Sequence, residues 1–226
     1  RNYNYLIACA ETGEALAIDP LDHEKCLSAA KVRGWQITQL LNTHEHHDHT
    51  GGNDAIVAAT GAKVIAHHKA GGKIAGMDRG VKAGDVIKVG KTVELECLDT
   101  PGHTMCHICL RSHTEQPALF SGDTLFNAGA GNCHNGGDPL LMYASFAEQL
   151  ALLHASAPDI AVRHLSARTG PQVEQALTPD VEVLLTIESE FSIAHATSLR
   201  WVQAETAGVD HFVGTPVWAG DVLLTS

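Results

Sequence analysis

The chain has 226 residues, of which 44% are hydrophobic, enough to bury the core of one large domain. Acidic side chains outnumber basic ones by 26 to 15, and a formal net charge of -11 with no basic run argues against a nucleic-acid-binding surface. No apolar run approaches the roughly 18 residues that a membrane-spanning helix needs, so we expect no membrane partner.

Strand-like and helix-like patterns alternate in the first part of the chain. Asp22 and Gly34 are typical of the first and last positions that flank a helix. The glycines of residues 69–84 favour a mobile loop. The other elements predicted here are strands over 3–8, 14–19, 37–42 and 63–67 and a helix over 54–60.

Strands cluster in the next part of the chain, and helices follow. Residues 145–155 and 181–202 have a helical period. The predicted strands are 86–89, 92–98, 107–111, 118–121 and 160–164. Strand clusters with helices between them predict two sheets covered by helices, which is a four-layer α/β sandwich.

The six cysteines are irregularly spaced in a chain too long to depend on disulfides. We therefore expect free thiols and a cytoplasmic protein. Cys106 and Cys109 form a C-x-x-C pair, but they lie in a strand-like stretch without a second pair to complete a zinc site. Because the chain begins with Arg1 in a strand-like segment, we expect that residues precede it or that a leader was removed.

A segment of unusual composition follows the predicted strand 37–42 and reads Thr-His-Glu-His-His-Asp-His. Imidazole is the commonest metal ligand in proteins, and imidazole with carboxylate suits zinc and its first-row neighbours. His44 and His46 are two residues apart, so in an extended loop both side chains point the same way and bind one ion. Asp48 and His49 project differently, which predicts a second ion.

Two further metal-ligand candidates lie in tight turns after predicted strands. His103 follows a Pro-Gly pair, and Asp123 lies in a Ser-Gly-Asp-Thr segment. Loops at strand ends converge at one edge of a sheet, where α/β folds place their sites. The two oxygens of Asp123 can bridge two ions about 3.5–4 Å apart, as two-metal hydrolytic sites require.

These motifs together resemble the metallo-β-lactamase superfamily. The resemblance rests on His-x-His-x-Asp-His over 44–49, Pro-Gly-His-Thr over 101–104 and Gly-Asp-Thr-Leu-Phe over 122–126. Within the superfamily the chain is most similar to glyoxalase II, the hydroxyacylglutathione hydrolases. This implies a four-layer αβ/βα sandwich over 1–170 and a mostly helical C-terminal segment over 171–226 that covers the site.

The resemblance also implies roles for individual residues. The metal ligands would be His44, His46 and His103 for the first ion, Asp48, His49 and His164 for the second, and Asp123 between them. The implied cofactors are two zinc ions, with iron or manganese as alternatives. Ser166 is the alternative to His164, and Asp48 would also position the nucleophile. We expect Glu45 to be solvated and His47 to orient the loop.

The implied reaction is hydrolysis of a small-molecule thioester such as a hydroxyacylglutathione. A metal-bridging water whose pKa is lowered to about 7 would supply the hydroxide that attacks the carbonyl carbon. The expected substrate contacts are Asn132, His134 and Arg200. Asn132 is neutral where the family has lysine or arginine, so it makes no salt bridge to a glutathione carboxylate.

Three alternatives to this hydrolase remain open. The first is a mono-iron enzyme that resembles persulfide dioxygenases and uses two histidines with Asp123. The second is a lactonase or another hydrolase of the superfamily, and the third is an inactive relative with a vestigial metal site. The number and identity of the bound ions distinguish these alternatives. The oligomeric state is not indicated by the sequence.

Overall fold

The computed structural model describes residues 2–114, 118–125, 130–156, 161, 169–186, 188–204 and 212–225. The chain divides into two compact units. Unit 1 comprises 1–124 and 131–156, and unit 2 comprises 125–130 and 157–226. Within the described ranges, no helix has both the length and the apolar character needed to span a membrane.

The first sheet of unit 1 has five strands. In chain order they are β1 (Tyr5–Ala8), β2 (Glu14–Ile18), β3 (Gln36–Leu41), β4 (Lys63–His67) and β5 (Met77–Val81). They lie side by side in this same order. β1 and β2 form an antiparallel hairpin, and each later strand is parallel to its neighbour.

Helices connect the parallel strands of this sheet. They are α1 (His23–Arg33), α2 (His47–Thr50) and α3 (Asn53–Thr60). As predicted, the Asp22 carboxylate accepts a hydrogen bond from the backbone N–H of Lys25 at 3.1 Å and so caps the start of α1. Gly34 ends that helix in the left-handed conformation, with φ of 68°.

The second sheet of unit 1 is antiparallel throughout and has four strands. They are β6 (Val86–Val89), β7 (Val93–Asp99), β8 (Ile108–Ser112) and β9 (Leu119–Phe120). α4 (Pro139–Ser156) follows, and it begins earlier than predicted. The Ser145 hydroxyl donates to the Pro101 carbonyl at 2.8 Å, and Gln149 Nε2 donates to Cys109 Sγ at 3.1 Å. These contacts place α4 against the second sheet.

The alternation of side chains along β2 explains the layers. Leu16 and Ile18 are fully buried between the two sheets, together with apolar residues of β6, β7 and β8. Ala15 and Ala17 point to the opposite face and pack against α1 and α3. Helices therefore cover the outer faces of two stacked sheets, which confirms the predicted four-layer α/β sandwich.

Removing one methyl group between the sheets tests this core. Ile87 of β6 has no exposed surface, so Ile87→Val is expected to lower the free energy of unfolding by about 1 kcal/mol, or the Tm by about 3 °C. Thermal unfolding measures the shift. Val32→Ala is the control, because Val32 is 81% exposed on α1. Equal shifts in the two variants would show that Ile87 is not packed between the sheets.

The predicted mobile loop over 69–84 is wrong for its second half. The short 3-10 helix His68–Ala70 begins the segment, and β5 then pairs with β4. The Asp78 carboxylate accepts the backbone N–H of Val64 at 2.9 Å, which fixes the strand. The prediction of a loop rested on the number of glycines, which carries no information about pairing with a strand elsewhere in the chain.

Unit 2 differs from the predicted helical segment. It contains α5 (Gly170–Ala176) and a parallel sheet of β10 (Val183–Thr186), β11 (Trp201–Ala204) and β12 (Leu223–Thr225). The helix predicted over 181–202 is therefore wrong, since a short apolar run such as β10 cannot be assigned by its period alone. The strand predicted over 160–164 lies outside the described residues, except for residue 161.

Candidate metal centre

The loops that carry the predicted ligands converge at one edge of the sandwich in unit 1. The histidine-rich loop follows β3 directly and runs into α2. His103 lies in the connection between β7 and β8, and Asp123 lies in the 3-10 turn Gly122–Thr124 after β9. The convergence at strand ends is the arrangement that the sequence predicted.

Three imidazoles form the first ligand set. His46 Nδ1 lies 3.0 Å from His44 Nε2 and 2.9 Å from His103 Nε2. A tetrahedral zinc ion with bonds of about 2.0–2.1 Å holds its nitrogen ligands about 3.3 Å apart, so this spacing suits one ion. Burial lowers the pKa of both His44 and His46, which favours the neutral, metal-binding form of each ring.

His44, His49 and Asp123 form a second set of mutually close ligand atoms. Asp123 Oδ1 lies 3.2 Å from His49 Nε2, and Asp123 Oδ2 lies 3.3 Å from His103 Nε2. One carboxylate therefore faces both sets. Against the effect of burial, His49 lowers the pKa of Asp123, so the carboxylate is ionised at neutral pH.

His49 gives a direct test of whether these residues fit a metal ion. Its Nε2 is buried and makes no hydrogen bond, although Asp123 Oδ1 is 3.2 Å away. The carboxylate is close but does not meet hydrogen-bond geometry, and a metal ion at Nε2 would supply the missing partner. Against the effect of burial, Asp123 and Asp19 raise the pKa of His49 to about 10, so this pocket attracts positive charge.

Asp19 orients His49 from behind, a role that the sequence analysis missed. Its Oδ2 lies 2.9 Å from His49 Nδ1 and accepts the Thr43 hydroxyl at 2.7 Å, while Oδ1 accepts the Thr43 backbone N–H at 2.8 Å. Carboxylates commonly fix metal-binding histidines in this way. The available signal was a carboxylate directly after a buried strand, within the Ile-Asp-Pro segment.

His107 is a second supporting residue that the sequence analysis did not identify. Its ring is buried and stacks on His44 with centroids 5.0 Å apart. His107 Nε2 accepts the backbone N–H of Asp123 at 3.1 Å, so its Nδ1 carries the proton and faces the Thr100 hydroxyl at 2.8 Å. Burial lowers the pKa of His107 to about 3, which keeps the ring neutral. His107 thus contacts two predicted ligands.

The remaining residues of the histidine-rich loop have different environments. Asp48 is 62% exposed and stands at the rim, with Oδ2 4.0 Å from His49 Nε2 and 2.8 Å from the donor Asn2 Nδ2. His47 is exposed. The prediction that Glu45 is solvated is wrong, because its carboxylate is bound by Lys73 and Thr104.

Asn132 and His134 lie on the loop beside His103. The Asn132 carbonyl accepts the Nδ1–H of His103 at 2.5 Å, and Asn132 Oδ1 accepts the backbone N–H of His134 at 3.0 Å. Gly131 permits this approach, since a Cβ atom there would lie 2.5 Å from His103 Nδ1. Asn132 therefore supports a predicted ligand through its main chain.

The last two predicted site residues lie outside the described part of unit 1. Arg200 lies in unit 2, where its guanidinium pairs with the Glu182 carboxylate. His164 lies outside the described residues, so its role as a ligand stays a prediction.

The chain is similar to known proteins of one superfamily. Residues 5–166 match the Metallo-beta-lactamase superfamily. The hydroxyacylglutathione hydrolase of Polaromonas sp. is 86% identical over 153 residues, which are 68% of this chain and 58% of that protein. The hydroxyacylglutathione hydrolase of Rhodopseudomonas palustris strain HaA2 is 36% identical over 181 residues, which are 80% of this chain and 68% of that protein.

Among solved structures, the crystal structure of ETHE1 from Myxococcus xanthus is similar, with a TM-score of 0.61 and 28% identity. The match covers 67% of this chain and 66% of that one. By comparison, the chain spans 58% of the length of its Polaromonas relative. From the matched residues and the ligand geometry together, the chain belongs to the metallo-β-lactamase superfamily and, within it, to the family of the hydroxyacylglutathione hydrolases.

Proposed function

We propose that this protein is a metal-dependent hydrolase of a small-molecule thioester such as a hydroxyacylglutathione. The observation that carries the proposal is the Asp123 carboxylate, which faces His103 with one oxygen and His49 with the other. The relatives support the thioester as substrate, because both are named hydroxyacylglutathione hydrolases. Their names favour hydrolysis over the oxidative alternative.

The proposed ligands fall into two groups that share Asp123. His44, His46 and His103 would hold one ion, and His49 with Asp48 and His164 would hold the other. The described donors are nitrogens and oxygens without a thiolate, a set that suits zinc, iron or manganese. We propose two zinc ions as the resident metals.

The residues around the ions have separate tasks. When bound, divalent ions lower the pKa of water to about 7 and polarise a carbonyl oxygen. Against its partial burial, the hydrogen bond from Asn2 lowers the pKa of Asp48, so this carboxylate is ionised and would position the attacking water. Asp123 is charged, lies between His49 and His103, and would be a ligand shared by both ions.

The contacts of Asn132 and Arg200 do not favour recognition of glutathione. Asn132 uses its side-chain oxygen within its own loop, and Arg200 is paired with Glu182. Neither residue offers a free charge to a glutathione carboxylate. We therefore propose that the acyl group and the thioester carbonyl, rather than the peptide, provide most of the binding in unit 1.

Metal analysis and a turnover assay on the same preparation test the proposed function. Two zinc ions per chain and hydrolysis of S-lactoylglutathione well above the rate with free zinc are the expected results. A lactate ester without the peptide is the comparison substrate for glutathione recognition. One iron per chain with oxygen uptake on a glutathione persulfide would overturn the hydrolase, and so would metal content without thioester turnover.

Asp19→Asn is expected to weaken binding at the ion position of His49 by about 10–100-fold, because the amide loses the charge that orients Nδ1. Competition with a chelator measures the affinity of each ion. Asp54→Asn is the matched control, since Asp54 is exposed in the first turn of α3. Equal affinities in Asp19→Asn and wild type would remove Asp19 from the site.

A further inference from the structure

Glu45 has contacts that its position between two ligand histidines does not require. Its carboxylate is only 15% exposed. Oε1 lies 2.6 Å from Lys73 Nζ, and Oε2 accepts the Thr104 hydroxyl at 2.9 Å. Both carboxylate oxygens are therefore engaged by residues that lie far from Glu45 in the sequence.

Thr104 connects this carboxylate to the loop of the third ligand histidine. It follows His103 directly and is 2% exposed. Its hydroxyl lies 3.4 Å from the backbone N–H of Cys106, which leaves the hydroxyl proton for Glu45. The Glu45–Thr104 hydrogen bond therefore joins the loop of His44 and His46 to the loop of His103.

Lys73 anchors the same carboxylate from a third segment. It lies in the turn after the 3-10 helix His68–Ala70, where its backbone N–H donates to the Ala70 carbonyl at 2.9 Å. The Cys106 thiol donates to the Lys69 carbonyl at 3.3 Å, so this turn is also attached to the His103 loop. Three loops thus meet at one partly buried ion pair.

We propose that Glu45 is a positioning residue that holds His103 against His44 and His46 and so sets the affinity of the first ion position. Lys73 balances the negative charge and keeps the carboxylate directed toward Thr104. Glu45 itself is not a ligand, because Lys73 and Thr104 occupy both of its oxygens. This inference rests on the proposed function, since it assumes that the three histidines hold an ion.

The test measures Co²⁺ affinity by competition with a chelator, together with the visible spectrum of the bound Co²⁺. Glu45→Ala and Thr104→Val are each expected to weaken the first ion about 10–100-fold and to alter that spectrum. Thr104→Ser keeps the hydroxyl and Glu45→Gln keeps an acceptor, so both are expected to stay closer to wild type. Lys88→Met is the control, because Lys88 forms a surface ion pair with Glu94.

Thermal unfolding of the metal-free variants separates positioning from general stability. If Thr104→Val and Thr104→Ser are equally stable without metal, a difference in their Co²⁺ affinity is due to the hydroxyl. Wild-type affinity and spectrum in both Glu45→Ala and Thr104→Val would overturn the inference, as would equal losses in Lys88→Met. If the wild-type protein binds no Co²⁺, the proposed function itself fails.

Discussion

Asp123→Asn is expected to reduce thioester turnover by about 1,000-fold, which corresponds to the several kcal/mol that metal ions contribute to hydrolysis. The amide removes the negative charge between the two ligand sets and presents an N–H₂ group to either His49 or His103. Steady-state turnover of S-lactoylglutathione and metal content per chain measure the effect.

The control for this variant makes the same change of charge at a position away from the ligand sets. Asp54→Asn removes a carboxylate from the exposed first turn of α3, and turnover is expected to stay near that of wild type. Retention of both ions and full turnover in Asp123→Asn would show that the carboxylate does not join the two sets.

Gly52→Ala is expected to destabilise the protein by about 3 kcal/mol, or by about 6–12 °C in Tm. A Cβ atom at Gly52 would lie 1.9 Å from the Pro20 carbonyl oxygen and 2.9 Å from that of Leu21. Both are backbone atoms, so they cannot move aside as the end of a flexible side chain can. Because Gly52 separates α2 from α3, the variant is also expected to displace His49 and lose the ion at its position.

Thermal unfolding with and without metal measures both consequences. Gly71→Ala is the matched control, since the nearest atom to its added Cβ would be Met77 Cε at 3.9 Å. A Tm for Gly52→Ala within a degree or two of the control would mean that the contact with Pro20 is looser than described.

The ligand loops were predictable because each depends on a local pattern. A buried strand followed by alternating histidines determines the direction of His44 and His46 within a few residues. The turns before His103 and Asp123 are marked by glycine next to a strand end. Their convergence then follows from the rule that sites lie at strand ends of α/β folds.

The supporting contacts were not predictable in this way. Asp19 and His49 are 30 residues apart, and Glu45 and Thr104 are 59 apart. The first pair forms because β2 and β3 are neighbours in one sheet, and the second forms because the two sheets stack. No local pattern encodes either arrangement. Glu45 in particular had the sequence features of a solvated charge, and its partners come from other loops.

Unit 2 illustrates a different limit. Its strands are short and parallel, so their hydrogen bonds come only from partners distant in the sequence. Val183–Thr186 is four residues long, and a run of this length is consistent with either a strand or a helix. The periodicity of a short apolar segment therefore does not show whether the segment pairs in parallel with another segment far along the chain.

The distribution of the thiols has a practical consequence for following the site in solution. Five cysteines are buried, and Cys133 is half-exposed. A maleimide dye would therefore attach to Cys133 first in the native protein, without any mutation. Since the neighbouring Asn132 carbonyl accepts the Nδ1–H of His103, fluorescence from that dye would report directly on rearrangement of the third histidine during metal loading.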